Sequence, residues 1–237
     1  MLKSSFDAQA LVEKFSEAST TQGEALRKAV GAATLKALQG RELTLKNIKE
    51  TIRGVTAAAS KGAAANPAPA VDVEAMLTKA FAGMDAALLQ AVEANRRALA
   101  QLVEQGANLR EGQMKKALAD VEKIEDTLFG AIEKAMQNVP APLQTAWSHV
   151  LEAGKAAGTG TGDKAAASVA QLTEQARISM RDGRALGLKT AQAMLDSYSA
   201  LVSGVLIGMS QGLQGKASAD EAPKPEAKPR PGRARQT

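Results

Sequence analysis

The longest uninterrupted pattern of apolar and polar positions in this chain runs from Val73 to Val139. Between those ends, apolar or small residues recur at Leu77, Ala80, Met84, Leu88, Ala91, Leu99, Leu102, Gly106, Leu109, Ala117, Val121, Ile124, Leu128, Ile132 and Ala135. With Asn95 and Gln113 taken as polar steps, the pattern advances 66 residues in 18 steps. That is about 3.67 residues per step, the period of an α-helix and of an eleven-residue repeat rather than a heptad. The spacing predicts a central helix over 73–139, or two helices stacked end to end with a break between Gly106 and Gly112. A continuous helix of this length would span roughly 100 Å at about 1.5 Å per residue, more than a domain of this size covers with its own core. The rest of the chain is expected to lie against it, and the stripe as a whole to lie against something apolar.

Two further arms show the same periodicity. Over 1–59, Ser4 or Ser5 is placed to cap a helix whose face runs Leu11, Phe15, Ala18, Leu26, Ala29, Ala33 and Ala37. Gly40 interrupts it, and Leu45, Ile48, Ile52, Val55 and Ala59 continue at helical spacing. The segment 60–72 reads as a linker, because Pro67 and Pro69 lack amide donors and push their predecessors out of the helical region. Asp72 stands where the N-cap of the central helix belongs. Pro140 and Pro142 end that helix, and a shorter one follows over 143–157 with Trp147 and His149. Gly158 to Asp163 breaks the pattern again, with Asp163 as a cap. A final arm over 164–214 carries a stripe from Val169 through Leu172, Met180, Leu186, Met194 and Leu201 to Leu213. Residues 40–46 and 183–189 share five of seven residues, an echo that suggests related first and last arms.

The fold class that follows is all-α: an elongated bundle or coiled coil of long amphipathic helices. Composition sharpens this picture. Alanine occurs 49 times in 237 residues, and aromatic residues make up only 3%. Alanine is the strongest helix former but offers little apolar area, so seams lined with it are weakly held compared with leucine seams. The absence of cysteine leaves neither disulfides nor thiolate metal sites. No apolar run suits a signal peptide or a membrane span, so a cytoplasmic chain, soluble or attached to a surface, is expected. The net charge of +5 is uneven: residues 216–237 hold six Lys or Arg against three Asp or Glu, or +3, which leaves +2 for the rest. The tail over 215–237 alternates Pro, Ala, Lys and Arg and is expected to be disordered.

Candidate chemistry is thin. The run Gly158-Thr159-Gly160-Thr161-Gly162-Asp163-Lys164 has the glycines of a phosphate loop but not its spacing, its Gly-Lys pair or a preceding strand, and reads as a linker. Glu122, Glu125, Asp126 and Glu133 alternate with Lys115, Lys116, Lys123 and Lys134 as a solvated charged face does. His149 has only Glu152 nearby at ligand spacing. No catalytic residue, cofactor, metal or small-molecule substrate is expected, and the chain does not read as an enzyme.

The informative positions are surfaces. Leu77, Met84, Leu88, Leu99, Leu102, Val121, Leu128 and Ile132, with Leu201, Val205 and Met209, are the candidate contacts to an apolar surface or to other copies of the chain. Gly204, Gly208 and Gly212 recur every fourth residue, which lets two helix backbones approach closely. Lys224, Lys228, Arg230, Arg233 and Arg235 offer a salt-dependent contact to nucleic-acid phosphates, set against a role as a solubilising brush.

Taken together, the cysteine-free Ala-rich helices, the sparse aromatics, the Leu/Ala/Met stripes and the tail Glu226-Ala227-Lys228-Pro229 resemble a phasin, one of the small bacterial proteins that coat polyhydroxyalkanoate storage granules. The resemblance covers the whole chain in architecture and composition and carries no residue-level role. It implies a cytoplasmic, granule-associated homo-oligomer. Two other readings stay open: an oligomeric coiled-coil structural or adaptor protein, and a nucleoid-associated protein acting through its tail.

Overall fold

The computed structural model describes residues 7–17, 23–39, 43–66, 72–104 and 111–182, without the side chains of 102–104, 111–115, 176, 177 and 179–182. The described residues are all-α. They form α1 (Ala8–Ser16), α2 (Gly23–Leu38), α3 (Leu45–Ala65), α4 (Val73–Glu104), α5 (Glu111–Glu122), α6 (Ile124–Met136), α7 (Ala141–Ala157) and α8 (Gly160–Asp182).

Local chemistry explains most of the boundaries. Asp72 caps α4 as expected, accepting from the Ala75 amide at 3.1 Å. The cap of α1 is Asp7 rather than Ser4 or Ser5, and its carboxylate accepts from the amides of Gln9 and Ala10, both at 3.1 Å. Thr44 caps α3 through the Asn47 amide at 3.2 Å. The helix expected to reach Ala37 without interruption is two, α1 and α2, and α3 runs on to Ala65, six residues into the expected linker. Pro140 stands at the N-cap of α7 with Pro142 inside its first turn, where a missing amide leaves no hydrogen bond unmade.

The segment expected as one central helix, or as two with a break between Gly106 and Gly112, is three helices: α4 ends at Glu104, α5 starts at Glu111 and α6 follows at Ile124. They do not form one rod, because Asp85 on α4 and Glu125 on α6, forty residues apart, both hold the first turn of α8. The chain therefore doubles back between them. The stripe has the right period because each piece is helical with one buried face, and a period carries no information about where the axis turns.

Contacts between named residues set the directions. Along α7 and then α8, His149 meets Glu74, Gly154 meets Phe81, Gly160 meets Asp85, Lys164 meets Glu93 and Gln171 meets Arg96. The order rises on both sides, so α7 and α8 run in tandem beside α4 and parallel to it. Helix α6 runs the other way, with Glu125 at Thr159 and Glu133 at Lys155.

One core fills the space between these helices. Phe15, Leu38, Ile48, Ile52, Leu77, Met84, Leu88, Leu128, Ile132 and Trp147 are its largest fully buried side chains, each stabilising by about 1.5–3 kcal/mol on burial. Two crossings are tight enough to need glycine. A Cβ on Gly83 would meet the Arg27 carbonyl oxygen of α2 and come within 2.9 Å of Val30 Cβ, and one on Gly62 would meet Phe15 and Val12 of α1.

Candidate functional site

Leu77, Met84, Leu88, Val121, Leu128 and Ile132, the apolar stripe of the sequence, all lie in the main core, and Leu99 is 2% exposed. Their burial asks for no second chain. This corrects the expectation that the helices own more apolar surface than they hide among themselves: among the described residues, Ile178 is the large hydrophobic left exposed, at 51%. The physical reason is that α2, α7 and α8 cover α4, while the reversal of the 73–139 segment lays α6 against α3, a face that a straight rod would have left to a partner. The side chains of Leu102, Leu201, Val205 and Met209 lie outside the described residues, as do Gly204, Gly208 and Gly212, and Lys224, Lys228, Arg230, Arg233 and Arg235.

Leu99 and Leu172 stand apart from the main core. With partly buried Ala100, Ala117 and Leu118 they form a separate small cluster where the second half of α8 lies on the end of α4 and on α5. Above it, α8 is held to α4 by small and polar groups. Ala165 and Ser168 are buried in the seam, and the Ser168 hydroxyl finds no hydrogen-bond partner there.

At the start of α8 the contacts are polar and dense. Gly158, with φ of 75°, turns the chain out of α7 in a conformation that favours glycine. Thr159 then caps α8, its hydroxyl accepting from the Gly162 amide at 2.9 Å and donating to Glu125 Oε1 at 2.5 Å. Thr159 takes the role expected of Asp163. The carboxylate of Asp85 accepts from the amides of Gly160 at 3.0 Å and Thr161 at 2.9 Å, while the Thr161 hydroxyl donates to the Asp85 carbonyl at 2.9 Å. Unpaired amides at a helix N-terminus favour an anion, and here the chain supplies its own. The phosphate-loop reading is thereby accounted for: the glycines are small so that two carboxylates can approach. A Cβ on Gly162 would collide with the Glu125 carboxylate.

Further along the seam, Glu93 is a nearly buried carboxylate that holds three cations. Arg96 Nη2 lies at 2.6 Å, Arg97 Nε at 2.9 Å and Lys164 Nζ at 3.0 Å. The Arg96 hydrogen bond, with support from Lys164 and Arg97, holds the carboxyl far below the usual range despite burial. Arg96 also donates to Gln171 on α8 at 3.2 Å. Sequence reasoning misses Asp85, Glu93 and Thr159. A signal exists in part, since a Thr followed by residues of high backbone freedom at a helix start is a cap.

The remaining candidates behave as surface or core. Glu133 pairs with Lys155 at 2.7 Å, and His149 Nδ1 lies 2.9 Å from Glu74 Oε2 with both side chains about half exposed. Among the described residues no three His, Asp or Glu side chains are grouped to hold a metal ion, and no helix is long and apolar enough to cross a membrane.

Comparison with curated proteins and with solved structures finds no match to this chain. Comparison with family models does: residues 1–215 match the model of a family of unknown function, DUF6781, and the chain belongs to that family.

Proposed function

We propose that this protein is a non-enzymatic coat for an apolar surface, of the kind phasins provide on intracellular polyhydroxyalkanoate granules, and that it works by opening. In the closed form its amphipathic helices face one another. At an apolar surface the same faces turn outward, and the surface takes the place of the neighbouring helices.

The observation that carries this reading is the separate Leu99–Leu172 cluster under α8. A seam with two leucines is worth only about 3–6 kcal/mol of apolar burial at roughly 1.5–3 kcal/mol each. The rest of the α8 attachment is two small apolar contacts, Ala165 buried in the main core and Val169 packed on it, with hydrogen bonds and ion pairs that contribute about 1 kcal/mol net apiece. Helix α8 is therefore the first element to leave. Its departure frees its own face, with Ala165, Val169 and Leu172 at helical spacing, and the end of α4 beneath it.

The test mixes the purified chain with polyhydroxybutyrate particles and, separately, with lipid droplets, and follows sedimentation or flotation together with Trp147 emission. Co-migration with the particles and a shift of Trp147 emission are expected. A chain that stays in the aqueous phase with unchanged emission across a wide range of particle concentrations defeats the proposal.

A further inference from the structure

A groove of about 680 Å³ lies between α3 and the end of α6 with the α6–α7 turn. One wall is a single stripe of α3, with Arg53, Ala57 and Lys61 at four-residue spacing. The opposite wall carries Lys134, and Val139, Pro140 and Leu143 add apolar lining. No acidic side chain lines it. Lys61 and Lys134 are exposed at its rim, and none of the three cations makes an ion pair with any described residue.

Two bland accounts of these charges fail. Cations near a helix C-terminus often answer its orphan carbonyls, but in this turn the protein's own groups do so. The carbonyls of Ala135, Met136 and Val139 accept from the Asn138 amide, the Val139 amide and Gln144 Nε2. Nor is Arg53 a side chain splayed into solvent. Its Nε is shut off from the surface and has no hydrogen-bond partner among the described residues, a state that costs about 1–3 kcal/mol, more for a charged group.

We infer that this groove binds a small organic oxyanion, a phosphomonoester with a short apolar group, with its head on Arg53, Lys61 and Lys134 and its apolar part on Val139, Pro140 and Leu143. The volume falls within the range of small-ligand sites, roughly 300–1,000 Å³. Three cations and no carboxylate in the lining suit a dianion better than a carboxylate ligand, and Arg favours bidentate contact with phosphate oxygens. The apolar lining separates an alkyl phosphate from inorganic phosphate. The groove lies on α3 and α6 and involves neither α8 nor its seam, so its ligand is independent of the coat proposal.

The test is isothermal titration of the full-length chain with hexyl phosphate, with inorganic phosphate and hexanol as the two halves of the ligand. Saturable one-to-one binding of hexyl phosphate, at least tenfold tighter than inorganic phosphate and with no response to hexanol, is expected. Arg53→Gln should weaken it at least tenfold, and Lys134→Gln, at an exposed position that folding tolerates, severalfold. Equal binding by the wild type and both variants overturns the assignment, as does the absence of saturable binding to the wild type. Retention on vesicles containing phosphatidic acid without any response to hexyl phosphate overturns a free ligand and places the head group on a lipid instead.

Discussion

The indole Nε1 of Trp147 donates to the hydroxyl of Ser60 at 2.9 Å, across 87 residues of sequence, with both groups buried. Ser60 passes the bond on to the Thr56 carbonyl at 2.8 Å, and the Thr56 hydroxyl contacts Met84 Sδ at 3.8 Å. Helices α7, α3 and α4 are thus joined by one polar thread inside an apolar core. Ser60→Ala leaves the indole N–H without a partner and should cost about 1–3 kcal/mol, read by denaturant unfolding. A change below about 0.5 kcal/mol would mean that the thread contributes little beyond packing.

Asp85 should control α8 separately from the rest of the fold. Asp85→Ala removes the acceptor for two amides at the start of that helix and should cost about 1–2 kcal/mol. Hydrogen exchange is the decisive readout: faster exchange confined to α8 is expected, with α2 and α3 unchanged. If the helix leaves first at an apolar surface, the same variant should adsorb to polyester particles faster than the wild type.

The glycines predict a contrast in sign. Gly83→Ala forces a Cβ into backbone and should destabilise by about 1–3 kcal/mol, the usual range for overpacking. Gly130 has no atom within 4 Å of the site of a Cβ, so Gly130→Ala should stabilise by about 0.4–1 kcal/mol through the unfolded chain. Thermal melts of the two variants side by side check this, and shifts of the same sign would refute it.

Glu93 makes stability fall in acid. Its carboxyl is held far below the usual value by Arg96, Lys164 and Arg97, so the stabilisation is complete above the unfolded value of about 4.3 and is lost as pH falls below it. Glu93→Gln should cost about 1–2 kcal/mol at pH 7 and should flatten the slope between roughly pH 4 and pH 2. Parallel urea titrations at several pH values test both parts.

His149 acts in the opposite direction and on the surface. Hydrogen bonding to Glu74 raises its pKa above the ordinary value. The pair favours folding fully below the unfolded value of about 6.5 and loses that contribution as pH climbs through the raised folded value. NMR titration of the imidazole should show the raised value, and Glu74→Gln should return it toward 6.5.

Helix class and most buried faces are legible in the order of residues alone. Leu77, Met84, Leu88, Leu128 and Ile132 sit at helical spacing, and they are buried. Asp72 and Pro140 declare a start and a stop through local chemistry. The partner of each face is not legible, because an apolar stripe is satisfied equally by a neighbouring copy, a foreign surface or its own chain folded back. The junction between α5 and α6 at Lys123 has neither Gly nor Pro to mark it. Asp85 looks like any carboxylate on an amphipathic helix. Only the arrival of α8, with the amides of Gly160 and Thr161, turns it into an anchor.

The contact of α2 with α4 at Gly31 and Gly83, where a Cβ on Gly31 would lie 3.3 Å from the Gly83 carbonyl oxygen, works like a notch. Sliding one helix past the other by a single turn would bring Arg27 or Leu35 to the point where main chain touches main chain, and neither has room. These two rods have one seating depth, so they travel as a locked pair while other parts of the molecule rearrange around them.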